Sequence, residues 1–476
     1  MTGTARRDNT PTKEESVSTR PLQVAVIGAG PAGIYASDIL SKSDVDVRID
    51  LYERLPAPYG LVRYGVAPDH PRIKQIITAL YNILQRGDIR LVGNVEVGND
   101  VSFEEIHEHY DAVIIATGAD RDAPFNIPGA DLPEVYGAAD FVSWYDGHPD
   151  YPRTWPLEAS SVAVLGVGNV ALDVARILAK HPDDLMSTEI PENVEEGLRK
   201  SPITDVHVFG RRGPAQVKFT PMELRELGQV PDVDVIVYEE DFDYDEGSEA
   251  AVEKSKMTRQ VVNILTDWVF EEDNEHTASR RIHLHLLQQP AEILGTDHVE
   301  GIRMERTALQ GDTSVKGTGE FIDYPVQAVY RAIGYFSSPI PGAPFDDVRG
   351  VVPNEGGRVL RDGQTVPGMY ATGWIKRGPV GLIGSTKSDA QETIRNLVED
   401  YEAGLLSATT DAIGWEPMKE LLESRSVRYT TWHGWELLET YEKALGEPQG
   451  RERIKVVERE TMTAISRGED HDGKLY

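Results

Sequence analysis

The 476-residue chain contains no cysteine. This excludes disulfides, a CxxC redox pair and any iron–sulfur cluster held by protein thiolates. Redox chemistry, if present, must therefore run on bound cofactors. Long apolar runs are missing as well. No stretch reaches the roughly 18 residues of a membrane-spanning helix. The first twenty residues, MTGTARRDNTPTKEESVSTR, have no apolar core of a secretory signal, and 1–20 reads as a flexible tail. A cytoplasmic location fits both absences. Positive charge is scarce too: 48 Lys and Arg stand against 79 Asp and Glu, a net charge of −31. Such a balance opposes binding to nucleic acid or to an anionic membrane and favours solubility. The acid clusters EEDFDYDEGSE (239–249) and FEEDNE (270–275) read as solvated loops and helix faces. No repeat of solenoid length is visible, and the length allows two or three domains.

What is present is one local pattern, used twice. VAVIGAGPAGIYASDIL (24–40) and VAVLGVGNVALDVAR (162–176) each read as an apolar strand, a glycine-rich turn and the start of a helix. In the first, Gly28, Gly30 and Gly33 fit G-x-G-x-x-G, with Ala29 and Pro31 between them. The first glycine allows a tight turn, the second lets backbone approach a pyrophosphate, and the third lets helix pack close to strand. The helix N-terminus then offers free N–H groups to phosphate. Glu53 ends the next β-rich run, VRIDLYE, and an acid there can accept both ribose hydroxyls of an adenosine. It suits FAD or NAD and would repel a 2′-phosphate.

The second turn runs Gly166, Val167, Gly168, Asn169, Val170, with Ala171 at the third glycine position, an allowed variant. The strand after it ends in GRRGP, which puts Arg211 and Arg212 where an NAD site would carry an acid. Two planar guanidiniums suit a 2′-phosphate, so this turn is expected to take NADP(H). One chain thus needs two such turns because one dinucleotide stays and the other exchanges. No metal site is expected.

Strand–helix alternation around both turns implies parallel sheets. Strands are expected near 89–97, 112–116, 162–165, 205–209, 233–238, 282–288 and 326–330, and helices over 74–86 and 169–180. YRAIGY (330–335) resembles IIATGA (114–119), a strand closing on a small-residue turn. The region 368–404 reads as a strand, a glycine-rich loop and a long helix beginning near Ser385 or Thr386 with a hydroxyl cap. Residues 415–465 read as mixed helices with little catalytic signal.

Five blocks in order, GAGPAGIYAS, YGLVRYGVAPDHPRIK, GVGNVALDVAR, GRRGPAQVKFTPMELREL and GWIKRGPVGLIGSTKSDAQET, resemble the adrenodoxin reductase family, which includes bacterial NADPH–ferredoxin reductases. The resemblance runs from about residue 22 to at least 400. It implies an α/β fold of two Rossmann-like dinucleotide-binding domains, the NADP domain inserted into the FAD domain. The implied boundaries are 21–119 and 336–476 for FAD, and 120–335 for NADP. It implies FAD contacts at Ala29, Glu53, Leu61, Val97, Trp374, Gly381, Leu382 and Ile383. NADP contacts are implied at Val167 to Val170, Arg211, Arg212, Glu223 and Gly381. Val167 departs from the polar residue or Asn common there, with little effect expected because the contact is through main chain. His70, Asp173 and Glu226 match residues near flavin and nicotinamide, where a proton relay to reduced flavin is one role and a structural hydrogen bond the other. The implied activity is hydride transfer from NADPH to FAD, then single electrons to an iron–sulfur ferredoxin. Arg225 matches a docking arginine, and Lys376 and Arg377 flank the flavin loop. The family default is a monomer. An NADPH diaphorase or quinone reductase, a monooxygenase, and a non-catalytic NADPH-binding sensor remain open at this point.

Overall fold

A computed structural model of the protein describes residues 20–70, 75–270, 276–379, 383–406 and 413–476. Residues 1–19 of the expected tail and most of FEEDNE lie outside these.

The first sheet has seven strands in the order 354–355, 358–361, 364–371, 112–115, 22–27, 47–52 and 89–92. From Gln364–Ala371 through Ile89–Val92 all neighbours are parallel. The two strands before 364 make an antiparallel edge. The strand Leu22–Ile27 is apolar throughout except Gln23 because both faces of the sheet are covered. Val24 and Val26 enter one core, which includes Ile34, Leu40 and Trp435. Ala25 and Ile27 enter another, which includes Phe103, Tyr110 and Met418. Helices Trp415–Ser424, Trp432–Gly446 and Arg459–Arg467 complete these cores from the C-terminal end.

The second sheet is parallel throughout, in the order 135–137, 328–331, 161–165, 205–209, 280–285 and 233–237. Its strand Ser161–Leu165 repeats the logic of the first, with Val162 and Val164 on one core and Ala163 and Leu165 on another. The second of these cores is closed by a three-stranded antiparallel sheet, 288–294, 301–309 and 315–324. The chain leaves the first sheet and returns to it through two short strands, Arg121–Asp122 and Tyr335–Phe336, which pair antiparallel with each other. Thus one Rossmann-like unit is inserted into another. Among the described residues no helix is long and apolar enough to cross a membrane.

Several expected bounds move. The strand near 89 stops at Val92, where Gly93 pairs instead with Thr430. The strand expected over 282–288 is two strands, Arg280–His285 and Gln288–Leu294, broken at Leu287, which has a φ of 53°. The helix expected over 74–86 spans Ile76–Leu84. The acidic stretch 239–249 is not all solvated. Asp241 is buried, accepting the Leu286 N–H at 2.8 Å and pairing with Arg306.

Candidate functional site

The first glycine turn is built by backbone crowding. Gly28 has a φ of 110°, and a Cβ there would lie 2.6 Å from the Ala116 carbonyl oxygen. A Cβ on Gly33 would lie 2.0 Å from the Gly28 oxygen. Gly30 differs. Among the described residues a Cβ there would meet only Gly60 Cα at 3.9 Å, so their packing does not demand a glycine. Gly30 instead faces a cavity of about 690 Å³, within the usual range for cofactor sites. Of the expected FAD contacts, Gly28, Gly30, Pro31, Glu53, Leu61, Val97 and Trp374 line it. Ala29 and Gly33 sit behind the wall, both buried. Gly381 and Leu382 lie outside the described residues, as does the side chain of Ile383.

Glu53 follows the strand Val47–Tyr52 and is 8% exposed. Its carboxylate accepts the Ala29 N–H at 3.0 Å and the Leu55 N–H at 3.1 Å. Burial pushes its pKa up, against the pull of these backbone donors. The acid is therefore held at the cavity wall in one orientation, with lone pairs to spare for hydroxyl donors. An open glycine, a fixed acid and a long cavity fit the adenosine and pyrophosphate of FAD.

The long helix after the flavin loop spans Ile383–Glu402, so it begins two residues before Ser385. Ser385 and Thr386 fall in its first turn rather than at its cap, and Thr386 lines the cavity. The short helix Trp374–Arg377 is tied to it: Asp389 accepts the Gly373 N–H at 2.6 Å. Sequence reasoning missed His148 and Tyr64 on the cavity wall, whose rings meet at 5.0 Å. Nothing local in DGHPD marks His148, whose burial lowers its pKa to about 3. Ser338 and Pro339 on the return strand's far side were missed for the same reason.

The second turn repeats the first. Gly166 has a φ of 134°, and a Cβ would lie 2.2 Å from the Ala332 oxygen. Gly168 has open space around its missing Cβ. The helix Asn169–Ala179 starts there, so its first N–H groups lack intrahelical partners. Val170 reaches the large cavity. Asn169 Oδ1 accepts the Thr220 N–H at 3.1 Å, and the Val167 oxygen accepts from Lys218 N at 2.8 Å. These bonds fold segment 213–220 over the turn. Arg211 is exposed, and Arg212 Nε is buried without a hydrogen-bond partner among the described residues. A buried guanidinium nitrogen without an acceptor fits an anion at this turn, which is what NADP(H) would supply.

Between the turns, the loop before Pro71 meets two NADP-side helices. His70 Nε2 lies 2.8 Å from Asp173 Oδ1 and 3.0 Å from Glu223 Oε2, and Nδ1 lies 3.0 Å from Glu226 Oε2. Thr220 caps the helix Pro221–Leu227 by accepting the Glu223 N–H, which places both glutamates. Arg176 crosses the same boundary to Asp69, with two bonds of 2.9 Å. Its Nη2 also lies 2.7 Å from His70 Nε2. A neutral ring could accept that guanidinium, but Asp173 lies beside Nε2 and Glu226 beside Nδ1, and each carboxylate calls for a proton on the nitrogen it faces. Carboxylates at both nitrogens outweigh one guanidinium already paired with Asp69, so the ring is protonated. Burial alone would lower the His70 pKa, but hydrogen bonds to Asp173 and Glu223 raise it to about 10. Asp69 is held well below the carboxylate range by Arg176 and Lys180, in spite of its burial. Arg176 and Asp69 were missed, although Arg176 stands three residues after Asp173 and Asp69 adjoins His70.

Of the expected docking residues, Arg225 is exposed, with no ion pair recorded among the described residues. Lys376 is corrected. Its side chain is 7% exposed, with Nζ 2.6 Å from Glu392 and 3.1 Å from Asp389, so its charge is neutralised inside. Arg377 is partly exposed and pairs with Asp389 at 3.1 Å.

Comparison with known proteins meets this geometry. Residues 22–200 match the pyridine nucleotide-disulphide oxidoreductase family. The chain is 40% identical over 462 residues to the NADPH-ferredoxin reductase FprA of Mycobacterium tuberculosis, covering 94% of this chain and all of that one. It is 38% identical over 468 residues to the mitochondrial NADPH:adrenodoxin oxidoreductase of Arabidopsis thaliana, covering 95% and 96%. The solved structure of M. tuberculosis FprA in complex with NADPH superposes with a TM-score of 0.86 at 39% identity, over 94% of this chain and all of that one. The chain belongs to the adrenodoxin reductase family of flavin-dependent NADPH–ferredoxin reductases. Without cysteine it cannot perform the disulphide chemistry that the broader family's name carries.

Proposed function

We infer that the protein is an FAD-containing NADPH–ferredoxin oxidoreductase. The observation that carries this is the pair of like-built glycine turns with opposite charge behind them: a buried Glu53 behind one, and Arg211 with Arg212 behind the other. When bound, FAD accepts hydride from NADPH and releases electrons singly to an iron–sulfur ferredoxin. Glu53, Gly30, Leu61, Val97 and Trp374 would hold FAD; Gly168, Asn169, Val170 and the arginine pair would hold NADP(H). The room beside Gly30 and Gly168 and the unsatisfied Arg212 Nε support these assignments.

For His70 we favour a fixed cation over a relay. A pKa of about 10 keeps the ring charged at neutral pH, so it neither takes nor gives a proton there. With Asp173, Glu223 and Glu226 it sets the charge where the two units meet. Hydride transfer needs no acid or base, so these groups tune rate through position and field. For docking, exposed Arg225 on the helix that carries Glu223 and Glu226 offers local positive charge on an acidic protein, whereas Arg377 is paired with Asp389.

The test is anaerobic stopped-flow mixing of the purified yellow protein with NADPH and with NADH. Fast bleaching with NADPH, much slower bleaching with NADH, and reoxidation by an added ferredoxin are expected. Equal rates with both nucleotides would overturn the arginine assignment. A protein that takes up no FAD would overturn the enzyme reading. The diaphorase and sensor readings gain nothing from the structure.

A further inference from the structure

A second histidine, His148, stands at the cavity, on the loop that follows the helix Ala138–Tyr145. The residue is 6% exposed, and its ring is held from three sides. Nδ1 accepts the Asp150 N–H at 3.1 Å. The rings of Tyr64 and Tyr151 meet it at 5.0 and 5.1 Å. Its backbone N–H donates to the Ser143 oxygen at 2.8 Å, which closes the loop onto the helix. One buried ammonium joins the segments that carry His148 and Tyr64: Lys455 Nζ donates to the Asp146 oxygen at 3.0 Å and to the Arg63 oxygen at 2.7 Å. The ring is therefore set in place before any ligand arrives, which spares the ordering cost on binding.

The bond from Asp150 fixes where the ring carries its proton. An N–H donor needs a lone pair on Nδ1, so a neutral ring must be protonated on Nε2. Burial, with Arg54, Arg459 and Arg153 against Asp150, lowers the His148 pKa to about 3 and keeps the ring neutral. Nε2 has no hydrogen-bond partner among the described residues, and it is not sealed by protein. Its N–H therefore opens on the cavity that the ring borders. A polar group on a residue this buried seldom goes without a partner. FAD offers acceptors along its whole length: ring carbonyls, hydroxyls and phosphate oxygens. At His70, carboxylates at both nitrogens make a cation; at His148, a backbone donor and nearby guanidiniums make a neutral donor.

We propose that His148 is an FAD-binding residue whose Nε2–H donates a hydrogen bond to the cofactor, with the Asp150 N–H fixing the tautomer and Tyr64 and Tyr151 fixing the plane of the ring. The proposal rests on the cavity being the FAD site. His148 belongs to the inserted unit, between the crossing strands Arg121–Asp122 and Tyr335–Phe336. The cofactor is thus held by both units, and its retention reports on how they meet.

Two substitutions separate this role from a structural one. His148→Gln keeps an N–H donor near the place of Nε2 and loses the acceptor for Asp150. His148→Asn keeps that acceptor near the place of Nδ1 and loses the donor. The measurement is release of FAD from the loaded full chain, followed by the rise in flavin fluorescence on dilution. Release should be about tenfold faster in His148→Asn and within about twofold of wild type in His148→Gln. Any other order, including equal acceleration in both or wild-type release in His148→Asn, would overturn the proposal. If thermal melting shows that either variant fails to fold, ¹⁵N-histidine NMR of the wild type decides. An Nε2–H signal with contacts to the Tyr64 and Tyr151 rings should resist exchange with water in the loaded protein and exchange rapidly once FAD is removed. A proton on Nδ1, or equal exchange with and without FAD, would overturn the proposal. A wild type that takes up no FAD would overturn the FAD reading itself, and this assignment with it.

Discussion

At the first turn Gly28 donates its N–H to the Tyr52 oxygen at 2.8 Å; at the second, Gly166 donates to the Phe209 oxygen at 2.9 Å. Ala116 and Ala332 close each turn from the next strand, each through an N–H bond of 2.8 Å to Ile27 or Leu165. That correspondence aligns Tyr52 with Phe209 and therefore Glu53 with Gly210. The difference lies in what fills one position. At Glu53 a carboxylate turns back to the Ala29 N–H. At Gly210 a Cβ would lie 2.5 Å from Val167 Cγ1, so the valine occupies the space an acid would need. Charge selection is thus a packing decision first: Val167 excludes the acid, and the arginines that follow supply the opposite field. Val167 was expected to contribute only main chain; its side chain has this further role.

The largest break in the comparison should come from Gly28→Ala. The residue's φ of 110° and the 2.6 Å approach to the Ala116 oxygen both forbid a methyl. A loss of about 3 kcal/mol or more of stability is expected, with FAD lost on purification. Thermal denaturation and the visible spectrum of the purified variant measure both. A yellow protein of unchanged melting temperature would show that the turn is not built as described.

Removing the charge difference comes next. Arg211→Ser with Arg212→Ser takes away charge-assisted bonds worth about 1.5–3 kcal/mol each. The KM for NADPH should rise about tenfold to a hundredfold per arginine, with NADH hardly affected. Steady-state kinetics with both nucleotides give the ratio. On the FAD side, Glu53→Gln places an amide donor toward the Ala29 or Leu55 N–H. A cost of about 1–3 kcal/mol follows from the mismatched donor, read as faster FAD dissociation in dilute buffer.

His70 joins the two units, and its effect depends on pH. Its folded pKa, about 10, is raised above the ordinary 6.5. The stability it adds is therefore fully present below pH 6.5 and is lost as pH rises through 10. The gap in melting temperature between wild type and His70→Gln should be widest at pH 6.5 or below and close toward pH 10. A gap that stays constant over this window would show that the ring is neutral in the folded protein.

Both turns were legible in the sequence because each is a local event. An apolar strand, glycines at set spacing and a following helix fix Gly28, Gly30, Gly166 and Gly168 without reference to distant residues. The residues just after the next strand were legible for the same reason, giving Glu53 and the arginine pair. The junction was only half legible. His70, Asp173 and Glu226 came from resemblance, while Arg176 and Asp69, which bind the units together, stand out only when residues 107 apart in sequence meet. Lys376 misled because a lysine beside a glycine-rich loop reads as exposed, and only the tertiary position of Asp389 and Glu392 shows it buried. Asp241 misled likewise, since Arg306 and the Leu286 N–H come from other strands.

The smallest expected change in stability separates a structural glycine from a ligand glycine. Gly168 has a φ of −108°, which alanine adopts freely, and among the described residues no atom beyond its chain neighbours lies within 4 Å of a Cβ. Gly168→Ala at this helix N-cap should cost at most about 1 kcal/mol. Its methyl group would nevertheless stand where backbone approaches the NADP(H) pyrophosphate. Melting temperature and FAD content should stay close to wild type, while the KM for NADPH and for NADH rises together, because both nucleotides share the pyrophosphate. That shared rise distinguishes it from the arginine variants, which act on the 2′-phosphate alone. If Gly168→Ala bound both nucleotides normally, the open space at Gly168 would not be where the dinucleotide lies, and the likeness between the two turns would be one of fold and not of use.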